Sequence, residues 1–372
     1  MKKEVRFLLD FLTGKKTEIT DYDWYYILGF IKCHNLSGMF YEEKMLHGLQ
    51  IPKKVESIIA NEYLLQKYRV EYMRKWLKDI SYTLNSSDLK YVFLKGSILS
   101  HVKIENQKVY KDGERISNDI DVLIMPHDVT KITRLLSDLG FRQGYWDRNN
   151  NRFVPLSRKE IVNRRMKRGE TAPFIVETYD YFVPYIEIDV NFSVDYLPTG
   201  SEEIVSSIID SRKEYVLDET SKLFGPSAEW LFLHLILHQY KEGMLYSMVE
   251  RGKEVDLYKF MDIFKLLSLN QVDLNIVRII AKKINLLNTL EQVLGITDVL
   301  FLTKYSKKSY SEEKVIDMDN KKQFTWTVSL EKRISDFDRV KYLKEISNEE
   351  NGIKQKSPFV MRGGLFFDMD KE

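Results

Sequence analysis

The chain has 372 residues, of which 44% are hydrophobic and 30% are charged, the composition of an ordinary soluble globular protein with two or three domains. Its 57 basic and 55 acidic residues give a formal net charge of +2. This balance excludes attraction of nucleic acid to the whole surface but allows a local basic patch. The single cysteine, Cys33, cannot form an internal disulfide, which predicts a reducing, cytoplasmic location.

Neither a signal peptide nor a membrane helix is expected. The N-terminal apolar run is short and is interrupted by Arg6 and Asp10. No window approaches the roughly 18 uninterrupted apolar residues of a membrane-spanning helix. We therefore predict a protein that has no membrane partner.

Residues 1–88 are predicted to form an N-terminal helical region. In "DYDWYYILGFIKCHNLSGMFYEEKML", apolar residues recur at helical spacing, and Asp21 or Asp23 is the expected N-cap. Pro52 begins "PKKVESIIANEYLLQKYRVEYMRKWLKDISYTL", an amphipathic pattern that predicts one long helix.

Residues 89–197 alternate between strand and helix patterns. "YVFLKGS" (91–97) predicts a buried strand and "DIDVLIM" (119–125) a second one, with a helix expected after each. The second helix, "HDVTKITRLLSDLG", ends at Gly140. "FIVETYDY" and "YIEIDVNFSVDY" predict two further strands around Pro184.

From residue 198 to residue 372 the pattern is helical again. "PSAEWLFLHLILHQYKEG" and "EVDLYKFMDIFKLL" are predicted to be core helices. The tail after Asn320 is charged and mixed, and "MRGGLFF" (361–367) fits a strand or a turn. The chain shows no internal repeat and no low-complexity linker.

Residues 148–168 form a basic segment whose only acidic residue is Glu160. Ser157 and Glu160 form a capping-box pattern, which predicts a short basic helix ended by Gly169. A solvated charged face is the expected role, and the alternative is contact with a triphosphate or with a polyanionic acceptor such as RNA. Phe153 is the only aromatic residue in the segment, which argues against sequence-specific RNA recognition. The cations are Arg148, Arg152, Arg158, Lys159, Arg164, Arg165, Lys167 and Arg168.

Asp119 and Asp121 lie two residues apart in a strand that is otherwise apolar, so their side chains point to the same face. Burial of two carboxylates is unfavourable unless something compensates their charge. Carboxylates about 7 Å apart along a strand can converge on one Mg²⁺, or bridge two ions about 3.5–4 Å apart. The alternative is two exposed carboxylates on an edge strand, each paired with a lysine or arginine.

A second acidic strand and a glycine turn complete this pattern. Glu187 and Asp189 share a face in "YIEIDVNF", and would join the first pair if the two strands are neighbours. Upstream, Gly96 and Ser97 follow a strand at a helix start, where backbone N–H groups bind phosphate. A phosphate turn, an acid pair and a third carboxylate suit in-line displacement at a phosphate with two metal ions.

These motifs resemble the nucleotidyltransferases of the DNA polymerase β superfamily, and most closely the bacterial group described as uncharacterised nucleotidyltransferases. The resemblance is carried by "LKGSIL" (94–99), "RISNDIDVLI" (115–124), "IDVNFSV" (188–194) and "LFLHLILH" (231–238), with "DYDWYYILGFIKCHN" as a weaker N-terminal match. It implies an α+β fold in which a small mixed-sheet, polymerase β-like catalytic core (89–197) is flanked by helical regions (1–88 and 198–372).

The resemblance also implies residue roles. Gly96 and Ser97 match the pair that contacts the nucleotide phosphates, and Asp119 and Asp121 match the metal-binding pair. Asp189 matches the third carboxylate, which in such enzymes helps to hold the catalytic metal and activates the acceptor. The chain departs from the group's His-Trp with Asn191-Phe192. An alternative register makes Glu187 the third metal ligand, and Asp189 is preferred because "IDVNFSV" then keeps the aromatic and apolar positions.

Three further polar residues lie next to the central motifs, and two histidines lie on a later helix. Lys95 is expected either to reach a phosphate or to be solvated. Arg115 and Ser117 match the group's pattern, and Arg115 is expected to bind triphosphate or to orient Asp121, against the alternative of a surface ion pair. His234 and His238 lie four residues apart on one helix face, but without an HExxH glutamate they are expected to be core or cleft residues.

The resemblance therefore implies a Mg²⁺-dependent enzyme that uses two ions, with Mn²⁺ as a possible substitute. It would transfer an NMP from an NTP such as ATP to an unidentified acceptor, releasing pyrophosphate. A second interpretation is a toxin-like enzyme that acts on tRNA or protein rather than a small molecule. A third is a non-catalytic module that binds nucleotide or acts as a scaffold. The sequence does not determine the base, the acceptor or the oligomeric state.

Overall fold

The computed structural model describes residues 2–15, 17, 21–104, 107–167, 169–194, 200–244 and 256–307. They divide into two compact units. The first comprises the described residues of Met1–Tyr63, Leu235–Ser268 and Arg278–Glu372, and the second comprises those of Leu64–His234 and Leu269–Val277. The boundaries expected from sequence at residues 88 and 197 stay a prediction, and the expected strand or turn at 361–367 lies outside the described residues.

The helices follow the chain in an order that largely matches the apolar pattern. In chain order they are α1 (Lys3–Leu12), α2 (Trp24–Cys33), α3 (Ser37–His47), α4 (Lys53–Asn85), α5 (Gly96–Leu99), α6 (Val129–Asp138), α7 (Arg158–Lys167), α8 (Glu202–Asp210), α9 (Ala228–Met244), α10 (Leu257–Ser268), α11 (Leu274–Lys283) and α12 (Leu287–Phe301). None of these helices combines the length and the apolar content needed to cross a membrane.

The first unit is helical, as the sequence predicts. Asp23 caps α2, where its carboxylate accepts hydrogen bonds at 3.0 Å from the backbone N–H groups of Tyr25 and Tyr26. The predicted helical stretch is divided, however, because Asn35 adopts a left-handed conformation (φ 57°) that separates α2 from α3. The single long helix predicted after Pro52 is confirmed as α4, which has 33 residues.

The second unit contains a six-stranded mixed sheet. The ten strands of the described chain are β1 (Tyr91–Leu94), β2 (Lys103–Ile104), β3 (Gln107–Lys108), β4 (Ile120–Ile124), β5 (Arg142–Asp147), β6 (Arg152–Pro155), β7 (Phe174–Glu177), β8 (Tyr185–Asn191), β9 (Lys213–Val216) and β10 (Lys222–Gly225). The main sheet has the order β1-β4-β8-β7-β5-β6, in which β4 and β8 are parallel and the other neighbours antiparallel. This mixed sheet with flanking helices confirms the predicted fold class.

The centre of the sheet is the best-predicted part of the fold. All five residues of β4 are buried, and Ile188 and Val190 of β8 are buried as well. Burial of these apolar side chains fixes the position of each strand, because a shift of one residue would turn them to the opposite face. The acids on the other positions are therefore held in a defined register.

Three antiparallel strand pairs differ from the sequence prediction, of which the shortest is β2 with β3, at two residues each. β5 and β6 lie in a stretch expected to be polar and basic, and β9 and β10 lie where helix was expected after residue 198. β5 has exposed or half-buried residues at five of its six positions, and in β9 only Tyr215 is buried. Strands that bury so little lack the apolar alternation on which a prediction depends.

The basic helix is confirmed as α7, together with its capping box. The Ser157 backbone N–H donates to Glu160 at 2.8 Å, and the Glu160 N–H donates to the Ser157 hydroxyl at 3.3 Å. Five cations of the basic segment are exposed as expected, whereas Arg164 is half-buried and pairs with Glu170 at 2.9 Å. The Lys167 side chain and Arg168 lie outside the described residues. The exposed cations are Arg148, Arg152, Arg158, Lys159 and Arg165.

Candidate active site

Three aspartates meet where the parallel strands β4 and β8 lie side by side. Asp121 is directly opposite Asp189 in the strand pairing, and Asp119 precedes β4 by one residue. Each of the three offers one ligand atom, and these oxygens lie within 4.8 Å of one another. Among the described residues, this is the one group of acids, histidines or cysteines whose ligand atoms come close enough to hold a metal ion.

The environment of the triad opposes three negative charges. Burial and the charge of Asp121 raise the pKa of Asp119 to about 6, despite the opposing influence of Lys95 and Arg115. Burial, together with Asp119 and Asp121, raises the pKa of Asp189 well above its ordinary value. Three carboxylates held so close in a partly buried place favour a cation between them, and hard carboxylate oxygens suit Mg²⁺ or Mn²⁺.

Lys95 supplies positive charge directly to this cluster. Its ammonium nitrogen lies 2.8 Å from a carboxylate oxygen of Asp121, and both side chains are largely buried. Burial alone would lower the pKa of Lys95, but the neighbouring Asp121 and Asp119 carboxylates outweigh it and raise the pKa. This ion pair excludes the solvated side chain that the sequence allowed for Lys95, and the phosphate contact stays a prediction.

Gly96 lies against the loop that leads into β4. A Cβ atom at this position would come within 2.5 Å of the Ser117 hydroxyl oxygen and 2.9 Å of Nη1 of Arg115. The backbone before it is also unusual, since Lys95 has a positive φ of 47°. Gly96 is thus required for the close approach of two segments that both carry predicted site residues.

Two buried hydroxyl groups lie in these segments. Ser97 and Ser117 are almost completely buried, and neither hydroxyl oxygen has a hydrogen-bond partner among the described residues. Buried polar groups are nearly always hydrogen-bonded, so such hydroxyls indicate a place for a ligand or a water molecule. The structure places Ser117 next to Gly96 and buries Ser97 at the start of α5.

Arg115 is buried beside the acids. It donates a hydrogen bond of 2.9 Å from Nη1 to the carbonyl of Ile116, and its charge acts on Asp119. Its own carbonyl accepts a hydrogen bond of 3.2 Å from the side chain of Gln66 on α4. The surface ion pair considered as an alternative is therefore excluded for Arg115 by its burial.

Helix α4 contributes residues that the sequence did not single out. Arg69 donates a hydrogen bond to the side chain of Asn118, the residue immediately before Asp119. Gln66 and Arg69 lie on a helix that reads as an ordinary amphipathic segment. In the sequence, Arg69 and Asn118 are visible only as a charged and a polar residue. They lie 49 positions apart, and no local sequence pattern predicts that they interact.

Glu187 is close to the triad without belonging to it. It shares a face of β8 with Asp189, but it is not a member of the group whose oxygens converge. Burial and the charge of Asp119 raise the pKa of Glu187 to about 7, while Arg164 and Arg148 act in the opposite direction. The geometry of the described residues thus favours Asp189 over Glu187 as the third acid.

The family comparison agrees with this geometry. A family model described as "Uncharacterised nucleotidyltransferase" matches residues 20–301, which is more than half of the chain. The match includes the glycine turn, both acidic strands and the helix α9 motif. No curated protein matches the sequence significantly.

Proposed function

Since the chain belongs to the uncharacterised nucleotidyltransferase family, we propose that it transfers an NMP from an NTP to an acceptor and releases pyrophosphate. The observation that carries the proposal is the convergence of Asp119, Asp121 and Asp189 beside the glycine turn of Gly96. Carboxylates arranged in this way next to a phosphate-binding turn suit displacement at a phosphorus atom. The sequence features and the geometry of the residues support the same chemistry.

The donor set fits divalent cations, and we propose Mg²⁺, with Mn²⁺ as a substitute. Asp119, Asp121 and Asp189 would hold the ions, because carboxylate oxygens are the ligands that such hard cations prefer. Bound cations would polarise the phosphate and stabilise negative charge on the attacking and leaving oxygens. Glu187 remains a candidate for an additional ligand, at a greater distance from the group.

The residues around Gly96 are proposed to bind the triphosphate. Because Gly96 has no side chain, its backbone can approach the phosphates closely. The buried hydroxyls of Ser97 and Ser117, which have no hydrogen-bond partner among the described residues, would donate hydrogen bonds to phosphate oxygens. Lys95 and Arg115 place two positive charges next to the turn, and both would stabilise phosphate oxygens.

These groups support the following proposed reaction. An acceptor hydroxyl oxygen attacks the α-phosphorus and forms a new O–P bond. The bond between the α-phosphorus and the oxygen that bridges to the β-phosphate breaks, so pyrophosphate leaves with that electron pair. The hydroxyl proton is transferred to a carboxylate oxygen of Asp189, which acts as the base. The products are the nucleotidylated acceptor, pyrophosphate and one proton.

Incubation of the full-length protein with each α-labelled NTP and Mg²⁺ tests this proposal. Small-molecule, tRNA and self acceptors are supplied in parallel, with pyrophosphate release followed in the same samples. Transfer of label from one NTP, with release of pyrophosphate, is the expected result. Tight NTP binding without pyrophosphate release or label transfer would instead indicate a non-catalytic nucleotide-binding module.

A further inference from the structure

A strip of exposed and half-buried aromatic and basic side chains lies on the second unit. It begins on α4, where Tyr68, Tyr72 and Lys75 share a helix face, with ring centroids of the two tyrosines 6.2 Å apart and the Lys75 ammonium over the Tyr72 ring. The turn between β7 and β8 adds Phe182, whose ring centroid lies 5.8 Å from that of Tyr68, and Tyr181, 5.3 Å from Phe182.

The strip continues to the triad. One residue after Tyr68, Arg69 donates a hydrogen bond to the side chain of Asn118. Arg69 is also close enough to Tyr185 and Arg148 to interact with them electrostatically. The Tyr185 ring stacks on that of Trp146 with centroids 4.9 Å apart and an angle of 21° between the planes. Arg148 in turn acts on the Glu187 carboxylate. Ring contacts thus connect the turn with Tyr68, and the next residue of α4, Arg69, is hydrogen-bonded to the residue that precedes Asp119.

The outer rings do not serve the packing of the core. Tyr181 is 91% exposed, Phe182 is 57% exposed and Tyr179, in the same turn, is 97% exposed. Rings that are this exposed are available for a ligand to stack on their faces. The turn itself is held by Asp180, whose carboxylate accepts hydrogen bonds from the Tyr68 hydroxyl and from two backbone N–H groups. The Asp180 carboxylate is therefore hydrogen-bonded within the turn, and the positive charge of Lys75 acts on it.

We propose that this strip binds a single-stranded nucleic acid. The strip consists of Tyr68, Arg69, Tyr72, Lys75, Trp146, Arg148, Tyr181, Phe182 and Tyr185. Aromatic faces combined with cations are the arrangement that holds unpaired bases and the phosphate backbone without sequence preference. Exposed cations of the basic segment, Arg152 among them, extend the positive charge beyond the strip. The inference rests on the proposed function in one respect, since it makes a hydroxyl of the bound strand the acceptor of the NMP.

Fluorescence anisotropy tests the inference. It measures the binding of short fluorescein-labelled RNA and DNA oligonucleotides of the same sequence to the full-length protein. Tyr181→Ala and Phe182→Ala are each expected to weaken binding about fivefold or more. Arg148→Glu is expected to weaken it further and to reduce its salt dependence. Tyr82→Ala is the matched control, because Tyr82 is a 75% exposed tyrosine of α4 outside the strip. Melting temperatures establish that each variant is folded.

The outcomes separate this inference from the proposed function. If the wild-type protein binds neither oligonucleotide, or if Tyr82→Ala weakens binding as much as Tyr181→Ala, the inference is wrong. Label transfer to a protein or a small molecule under those conditions would leave nucleotidyl transfer intact. Binding that depends on the strip, in a protein that neither binds NTP nor transfers label, would support the surface and contradict the proposed function. Preference for RNA or DNA identifies the type of strand.

Discussion

The ammonium group of Lys95 lies 2.8 Å from a carboxylate oxygen of Asp121, inside a cluster that contains two further aspartates. This contact compensates part of the negative charge of a buried acidic strand. It also means that Lys95 and a metal ion compensate the same charge. When a cation is bound to the triad, Lys95 should therefore contribute less to the stability of the protein.

Lys95→Met is expected to lower the free energy of unfolding of the metal-free protein by about 3 kcal/mol, because it leaves a buried carboxylate without its cation. Saturating Mg²⁺ should recover part of this loss. Urea denaturation with EDTA and with Mg²⁺ measures both. Lys131→Met, which breaks an ion pair with the exposed Asp88, is the control and should cost about 0–1 kcal/mol. Equal losses in the two variants would contradict the expected role of Lys95.

Gly96→Ala places a methyl group within 2.5 Å of the Ser117 hydroxyl oxygen. We expect it to cost about 1–3 kcal/mol of stability, since neighbouring groups must move, and to weaken NTP binding. Gly29→Ala is a matched control, because nothing lies within 4 Å of the added atom and the site is within helix α2. It should be neutral or stabilising by about 0.5–1 kcal/mol. Unchanged NTP affinity in a folded Gly96→Ala protein would argue against a phosphate site at this turn.

The sequence identified the acid pair, the glycine turn and the two central strands, because each leaves a local pattern. Buried strands are apolar, and carboxylates within them stand out. The partner of Asp121 left no such pattern, since its pairing with Lys95 depends on the antiparallel register that sets Leu94 opposite Asp121. The contribution of Arg69 likewise depends on where α4 packs.

The sequence favoured Asp189 over Glu187 only through the family resemblance, because both acids point to the same face of β8. Only the register with β4, which sets Asp121 opposite Asp189, distinguishes them. The β5–β6 hairpin was not predicted for a different reason. Its residues are largely exposed and so lack the alternation that marks a strand.

Asp189→Asn and Glu187→Gln form a matched pair that tests this assignment. We expect Asp189→Asn to reduce label transfer by at least about 100-fold, the effect typical for loss of one group that stabilises the transition state. Glu187→Gln should reduce it by less than about tenfold, because its carboxylate lies outside the converging group. The reverse order of effects in single-turnover transfer would make Glu187 the third acid.

Stability of the metal-free protein should fall as the pH rises from about 4 to about 7. The pKa values of Asp119, about 6, and Glu187, about 7, are raised by burial above those of unfolded chains. The folded state therefore keeps protons that the unfolded state has already released, and it loses this advantage as the pH passes through 6 to 7.

Melting temperatures in EDTA across this range measure the effect. Glu187→Gln should flatten the decline, whereas Asp138→Asn, which changes an exposed acid at the end of α6, should not. Added Mg²⁺ should stabilise the protein most at the higher pH, where the carboxylates are free of protons. A melting temperature that declines equally steeply in wild type and Glu187→Gln would exclude the titration of this acid as the cause.

Two variants, Asp119→Asn and Asp121→Asn, test the proposed active site most directly. For each variant, transfer of α-phosphate label from NTP is compared with that of the wild-type protein at equal folded fraction. Each substitution keeps the size of the side chain and removes one charged ligand from the triad. We predict that both reduce label transfer by at least about 100-fold and abolish Mn²⁺ binding at this site. Transfer and metal binding at the wild-type level in either variant would contradict the assignment of this triad as the catalytic centre.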